Sequence, residues 1–262
     1  MRKNIIKEIW NKKGSVINGW LAIPNSISAE IMAHENWDSI TIDLQHGLND
    51  YSTSIAMLQA ISSTKTVPLV RVPWNEPGII MKMLDAGAFG IICPMINSKS
   101  QCEKFVNACR YPPAGFRSFG PLRATIYAGE DYFEFANQEI ITMAMIETKE
   151  AVDNLDEILS VKGLDSIYIG PSDLSISYTK KPDFDIENTF VYDIIVKILN
   201  KAKEKKICAG IHVGSSSYAK KMISLGFDFV SILSEAKIMQ NAVQTILKEI
   251  KDKKTMKKKS LY

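Results

Sequence analysis

The stretch Ser39–Val72, "SITIDLQHGLNDYSTSIAMLQAISSTKTVPLVRV", holds one complete unit of the fold. It opens on a β-branched run, Ser39–Leu44, and passes through "DYSTSIAMLQAIS", where apolar residues recur every three or four positions. It closes on a second apolar run, Val67–Val72. Strand, helix and strand in that order form a right-handed crossover, and such a crossover makes its two strands parallel. The first strand finishes abruptly in polar groups, Asp43, Gln45 and His46, followed by Gly47.

The same alternation continues on both sides of this unit. Candidate strands are Val16–Ile23, Ser39–Leu44, Val67–Val72, Gly90–Met95, Ile141–Glu147, Ser166–Gly170, Ile207–Val213 and Phe229–Leu233. Helix-patterned segments such as "SAEIMAHENW", "EPGIIMKMLDAGA" and "TFVYDIIVKILNKAKEKK" lie between them. Eight such units in 262 residues predict an α/β fold, a closed (β/α)8 TIM barrel, because an open doubly wound sheet more often stops at five or six strands. A dinucleotide fold also lacks its signature here, since no GxGxxG follows the first strand.

Length and charge agree with one domain. A (β/α)8 barrel takes about 250 residues, so residues 1–250 are assigned to the barrel and 251–262 to a Lys-rich tail expected to be disordered. That tail carries six lysines and Asp252, and without it the formal charge of +3 becomes −2. The body therefore lacks the clustered basic surface of a nucleic-acid binder. No apolar run reaches the roughly 18 residues of a membrane span, and the N-terminus "MRKNIIKEIWNKKG" is charged where a signal peptide is apolar. The four cysteines form no CxxC pair and no zinc spacing, and Cys93 and Cys208 sit in apolar runs. A cytoplasmic, reducing location with no nucleic-acid or membrane partner is the expectation.

In this barrel the chemistry collects at the C-terminal ends of the strands. The second strand delivers Asp43, Gln45 and His46, the third Arg71 and the fifth Glu147; Asp173 follows the sixth and His212 ends the seventh. Any one of them has a structural explanation, as a helix cap or a satisfied polar residue. Their convergence on one mouth is what points to function. Glu147 and Asp173 offer two hard oxygen donors to a Mg²⁺ or Mn²⁺ ion. His46 can take a proton, Arg71 can neutralise a developing oxyanion, and the amides of "IGPSDLS" can cradle a carboxylate. Together these parts suit a small 2-oxo acid.

The runs "IDLQHGLNDY", "VPLVRVPWNEP", "LDAGAFGIICPMI", "GFRSFGPLRA", "MAMIET" and "YIGPSDLS" resemble the HpcH/HpaI aldolase family, metal-dependent class II pyruvate aldolases of the phosphoenolpyruvate/pyruvate barrel superfamily. The likeness spans about Gly19 to Ala236 and extends to 4-hydroxy-2-oxoheptanedioate and 2-dehydro-3-deoxyglucarate aldolases. It implies cleavage or formation of a C–C bond in a 4-hydroxy-2-oxo acid, giving pyruvate and an aldehyde through a metal-bound pyruvate enolate. Carried over by position, Glu147 and Asp173 match the ligands of a divalent cation: Mg²⁺, Mn²⁺ or Co²⁺. His46 matches the base, Asp85 the acid that pairs with it, and Arg71 the arginine on the 2-oxo oxygen. Gly170, Pro171, Ser172 and Asp173 match the turn that receives the carboxylate. The resemblance further implies a homo-oligomer, a hexamer built from dimers that exchange the helix around Ala236–Ile250.

Gln45 departs from the Glu that many members carry, which removes a negative charge beside the metal's water ligands. Between Arg110 and the fifth strand lies "YPPAGFRSFGPLRATIYAGEDYFEFANQEI", of which only "GEDYFEFAN" reads as helical. Such a segment can fold over the mouth and place Arg117, Ser118 and Arg123 on an acidic substrate, or it can serve an oligomer contact. Arg123 and His212 are taken as substrate-binding, and "HVGSSS" as a pocket-lining turn more than a phosphate site. A CoA-thioester lyase of the same superfamily and a non-catalytic 2-oxo-acid binder are the alternatives. No lysine lies within a strand, which disfavours a Schiff-base aldolase.

Overall fold

The computed structural model of the chain describes residues 1–259. Its strands are β1 (Val16–Leu21), β2 (Ser39–Asp43), β3 (Val67–Arg71), β4 (Gly90–Cys93), β5 (Ile141–Ile146), β6 (Ser166–Ile169), β7 (Cys208–Val213) and β8 (Phe229–Ile232). They pair in sequence order, all parallel, and β8 returns to β1 to close the barrel. Each lies where the apolar pattern puts one. The expected runs overshoot by one or two residues because their last members have left the ladder to build the mouth.

The helices form the outer ring: α1 (Ile5–Asn11), α2 (Ser26–Ala33), α3 (Tyr51–Ile61), α4 (Pro77–Asp85), α5 (Lys99–Cys109), α6 (Leu122–Ala128), α7 (Tyr132–Glu139), α8 (Lys149–Asp153), α9 (Leu155–Ile158), α10 (Pro171–Thr179), α11 (Phe190–Glu204), α12 (Ser216–Leu225) and α13 (Glu235–Lys259). Strands covered on both faces read as continuous apolar runs, and Ile40, Ile42, Leu69, Ile146, Ile169 and Val230 are fully buried. Helix starts carry their own signals. Asp50 and Thr53 make a reciprocal capping box at α3, and Pro171 occupies the first turn of α10. At the opposite end, Asn4 caps α1 and donates to the carbonyls of Phe89 (3.1 Å) and Glu139 (2.9 Å), which ties α1 beneath the barrel.

The long connection between α5 and β5 departs from expectation. It contains a second helix, α6, because "LRATIYA" has helical spacing that ends at Gly129, whose φ of 114° a side chain tolerates poorly. The segment wraps the flank of the barrel, not its mouth. Arg117 is buried, donating to Asp85 Oδ1 (2.8 Å) and to the Tyr132 hydroxyl (2.9 Å). Arg123 donates to the carbonyls of Ala86 (2.7 Å) and Leu58 (3.0 Å) and to Ser62 Oγ (3.1 Å). The expectation that Arg123 binds substrate is thus corrected. Its guanidinium meets the Ala86 carbonyl and adds a second bond to the Leu58 carbonyl, which also accepts from Ser62 N, at the C-terminal ends of α4 and α3, where a cation complements the helix dipole.

Helix α13 runs on through the Lys-rich segment to Lys259, where a frayed end was expected; lysine is a good helix former. Positions 260–262 of that expected tail lie outside the described residues. From Met239 to Ile250, α13 exposes Met239, Val243, Ile246, Leu247 and Ile250. Among the described residues, no helix is long and apolar enough to cross a membrane.

Candidate active site

The register of β2 on β3 sets Asp43 directly beside Arg71 at the mouth. Arg71 donates from Nε to Asp43 Oδ1 (2.8 Å) and from Nη2 to Oδ2 (2.6 Å), a bidentate pair. Trp20 Nε1 adds a bond to Oδ2 (3.2 Å), and the backbone N–H groups of Gln45 (3.0 Å) and His46 (3.3 Å) add theirs to Oδ1. Burial pulls the Asp43 carboxyl up, but the bonds and charge of Arg71, helped by Trp20 and Gln45, outweigh it and leave the carboxyl below its ordinary range. Asp43 therefore shapes the turn that presents His46, and it fixes Arg71 with Nη1 still unpaired. In the sequence Asp43 stands at a strand end with no role of its own. Its match in register with Arg71, each the last residue of a neighbouring strand, is the signal that could have found it.

Facing this pair stands Glu147, at the end of β5. Its side chain is buried, and its Oε1 accepts from the Met95 N–H at 2.7 Å. A Cβ on Gly170 would stand 2.5 Å from Oε2, so a glycine is required there for the carboxylate to occupy its place. Burial pushes the Glu147 carboxyl up to about 7; the Met95 amide opposes this, the Asp173 charge adds to it, and Arg71 opposes again. Asp173 sits one turn into α10 and lines the cavity at the barrel mouth, whose wall includes Gly170 but not Glu147 itself.

That cavity, of about 470 Å³, opens at the C-terminal ends of the strands and is lined by His46, Arg71, Gly170, Pro171, Ser172, Asp173 and His212, with Trp20, Tyr168, Phe184 and Lys237. The structure thus gathers most of the sequence-derived site residues. His46 is exposed at the rim. Gly170 caps α10 without a side-chain bond, and Pro171 has no N–H, which leaves the Ser172 and Asp173 amides free at the helix N-terminus. The Ser172 hydroxyl is engaged with the Asp183 carbonyl (3.2 Å). Gln45 keeps its side-chain carbonyl Oε1 buried without a partner. The turn after β7 is closed to phosphate, because Asp185 accepts from Gly214 N (2.7 Å) and Ser215 Oγ (2.6 Å).

Two residues stand apart. Arg123 is on the flank, and Asp85, at the C-terminal end of α4, pairs with Arg117 and not with His46 of the same chain. Trp20, Tyr168 and Lys237 are site residues that sequence reasoning missed, because an aromatic inside a strand looks like core and Lys237 belongs to a helix, not to a strand end.

Among the described residues, no group of three or more His, Cys, Asp or Glu is arranged to hold a metal. Glu147 and Asp173 nevertheless fit a hard divalent cation. They are two oxygen donors, one of them a buried carboxylate whose charge no protein cation neutralises at contact. An ion there would leave positions for water and substrate, and the orphaned Gln45 Oε1 is an acceptor suited to a bound water.

Comparison with known proteins follows the same line. The family model for HpcH/HpaI aldolase/citrate lyase matches residues 17–242. A hydroxypyruvate/pyruvate aldolase of Rhizorhabdus wittichii is 37% identical over 244 residues, covering 93% of this chain and 97% of that protein. A 4-hydroxy-2-oxo-heptane-1,7-dioate aldolase of Shigella flexneri is 34% identical, covering 87% of this chain and 85% of that protein. The crystal structure of an HpcH/HpaI aldolase/citrate lyase family protein from Burkholderia cenocepacia superposes with a TM-score of 0.89 at 25% identity, covering 95% of this chain and all of that one.

Proposed function

The chain belongs to the HpcH/HpaI aldolase/citrate lyase family, and we propose that its barrel mouth makes and breaks the C3–C4 bond of a 4-hydroxy-2-oxo acid, with pyruvate or hydroxypyruvate on one side and an aldehyde on the other. The observation that carries the reading is a locked Arg71 and Asp173 lining one cavity, with the buried Glu147 carboxylate against Gly170 of the same wall. With a cation held by Glu147 and Asp173, such a site would offer a 2-oxo group positive charge from the ion as well as from Arg71.

The chain's own residues divide the work. The free amides of Ser172 and Asp173 receive the substrate carboxylate, and the dipole of α10 favours it there. Arg71 Nη1, the donor that Asp43 leaves free, faces the 2-oxo oxygen, where negative charge grows as a C3 proton departs. A ring nitrogen of His46 takes that proton. The C3 carbon then bonds the aldehyde carbon, whose oxygen gains a proton; cleavage runs the same steps in reverse. Glu147 and Asp173 would hold the divalent cation, Mg²⁺, Mn²⁺ or Co²⁺, which when bound supplies further electrostatic stabilisation of the same oxygen.

A homo-oligomer, a hexamer built from dimers, belongs to this proposal. The apolar residues exposed on α13 suit helix exchange between copies. If Asp85 pairs with His46, it does so from another copy, since within one chain its carboxylate is bound to Arg117. A reducing, cytoplasmic setting is in keeping with the four free cysteines.

The test is deuterium exchange at the pyruvate methyl. The protein exchanges it with Mg²⁺, Mn²⁺ or Co²⁺, stops in EDTA and recovers when the ion is restored. His46→Ala abolishes exchange while Mn²⁺ still binds. Exchange that survives thorough chelation, or that survives in His46→Ala, refutes the assignment.

A further inference from the structure

Two groups of buried polar side chains stand inside the barrel, one joining β2, β1 and β8 and one joining β6 and β7. Asn18 Oδ1 accepts from Ser39 Oγ (2.8 Å) and Thr41 Oγ1 (3.2 Å), so the amide turns its Nδ2 to Ser231 Oγ, at 2.9 Å. The Ser231 hydroxyl accepts that bond and keeps a proton to give. Burial pushes the Tyr168 phenol's pKa far up, so it keeps its proton. Among the described residues its hydroxyl has one hydrogen-bond partner, His212 Nδ1 at 3.0 Å, and the proton goes there. Gly210 makes the arrangement possible, since a Cβ there would stand 2.9 Å from the Tyr168 ring.

His212 receives this bond as a neutral ring. Burial drives its pKa down to about 3, with Arg71 lowering it and Asp43 opposing. A neutral imidazole that accepts at Nδ1 carries its proton on Nε2. Among the described residues Nε2 has no hydrogen-bond partner, and it is not sealed among the buried unpaired atoms; the ring lines the cavity. Trp20 holds the ring edge-on at 4.7 Å and carries the Arg71 guanidinium over its own ring at 4.8 Å, so the two polar groups share one wall.

We propose that His212 is a fixed Nε2–H donor that recognises a hydroxyl on C3 of the 2-oxo acid, and so sets this chain's preference for a 3-hydroxy-2-oxo acid over pyruvate. The proposal rests on the aldolase reading and follows from counting oxygens. The carboxylate has the Ser172 and Asp173 amides, and the 2-oxo oxygen has Arg71 and the cation site. In a 3-hydroxylated substrate the C3 hydroxyl alone lacks a partner, and in this wall His212 offers a neutral donor with no other acceptor. Pyruvate leaves that donor unpaired. Tyr168 is a positioning residue, acting only through the proton it fixes on His212.

The experiment reads loss of the C3 proton signal in D2O with Mg²⁺ supplied, for pyruvate and for hydroxypyruvate, with no aldehyde present. His212→Leu is expected to lower the hydroxypyruvate-to-pyruvate ratio of kcat/KM about ten-fold. His212→Gln, which retains an N–H donor, recovers part of the ratio. In ¹⁵N NMR of the wild type, the His212 ring shows its proton on Nε2, and Tyr168→Phe leaves the two tautomers mixed. A proton on Nδ1 in the wild type, an equal loss for both substrates, or an unchanged ratio in His212→Leu overturns the inference and leaves the aldolase reading standing. A wild-type protein that exchanges neither compound with Mg²⁺ present overturns both.

Discussion

Glu147 allows one quantity to be carried from structure to test tube. Its carboxyl lies at about 7 against an ordinary 4.5, with burial the first cause. An acid whose folded pKa exceeds its unfolded one holds its proton more tightly in the folded state. The metal-free protein therefore loses stability from this group as pH rises from about 4.5 to about 7, and loses no more above that. Glu147→Gln keeps an oxygen for the Met95 N–H and removes the ionisation. At about 1.4 kcal/mol per pH unit of displacement, the stability of the variant relative to wild type should grow by about 2.5 kcal/mol between about pH 5 and pH 8. For a chain of this length that is about 5–10 °C in Tm. The assay is thermal unfolding of both proteins in EDTA across that pH range, then again with MnCl2. The ion should reverse the order at pH 8, since it stabilises by mass action only the protein whose carboxylate binds it. Parallel pH curves in EDTA would refute the burial-driven ionisation. An equal Mn²⁺ shift in both proteins would refute Glu147 as a ligand.

Three further changes separate the parts of the site. In Gly170→Ala the new methyl falls 2.5 Å from Glu147 Oε2, so the carboxylate must move; Mn²⁺ affinity by titration calorimetry should fall at least about ten-fold, and an unchanged Kd would be contrary. Asp43→Asn strips Arg71 of its charge partner. Stability in urea should fall by about 3 kcal/mol or more and kcat/KM by about a hundred-fold, whereas a variant normal in both would show that Asp43 is not what orients Arg71. Arg123→Gln removes the bonds to Leu58, Ser62 and Ala86; it should cost about 1–3 kcal/mol of stability with kcat/KM within about two-fold, and a large loss of kcat/KM at unchanged Tm would return Arg123 to the substrate.

The barrel was legible because each strand buries both faces and so reads as an apolar run of the right length, as in "MAMI" of β5 and "SIYI" of β6. The mouth was legible for the complementary reason. Charge is tolerated at or just beyond the last rungs of the ladder, so polar residues at strand ends are sorted by the fold itself onto one face. Under that rule His46, Glu147 and Asp173 lie past the strand ends, while Arg71 and His212 are the last and last-but-one residues of β3 and β7. Arg117 and Arg123 did not fall under it, because neither stands at a strand end. Nothing in "GFRSFGPLRA" says whether its arginines look to solvent or to a neighbour, and the nearest need turned out to be the helix-end carbonyls and the Asp85 carboxylate around α3 and α4. A basic residue on a connection goes to the closest acceptor, and that acceptor is set by packing.

The same reasoning explains why the tautomer of His212 could not be read from the chain. Asn18, Tyr168, His212 and Ser231 come from β1, β6, β7 and β8, and each alone is a polar or aromatic residue in a strand. Only closure of the barrel makes β8 adjacent to β1, setting Asn18 opposite Ser231 on one side and Ser39 on the other. That double adjacency orients the amide toward Ser231, while Tyr168, brought beside His212 by the pairing of β6 with β7, has the imidazole Nδ1 as its hydrogen-bond partner. An open sheet of the same strands would separate β1 from β8 and break the Asn18–Ser231 bond. It would also take Trp20, on β1, away from the edge of the His212 ring, so closure of the barrel sets the wall against which that ring is held.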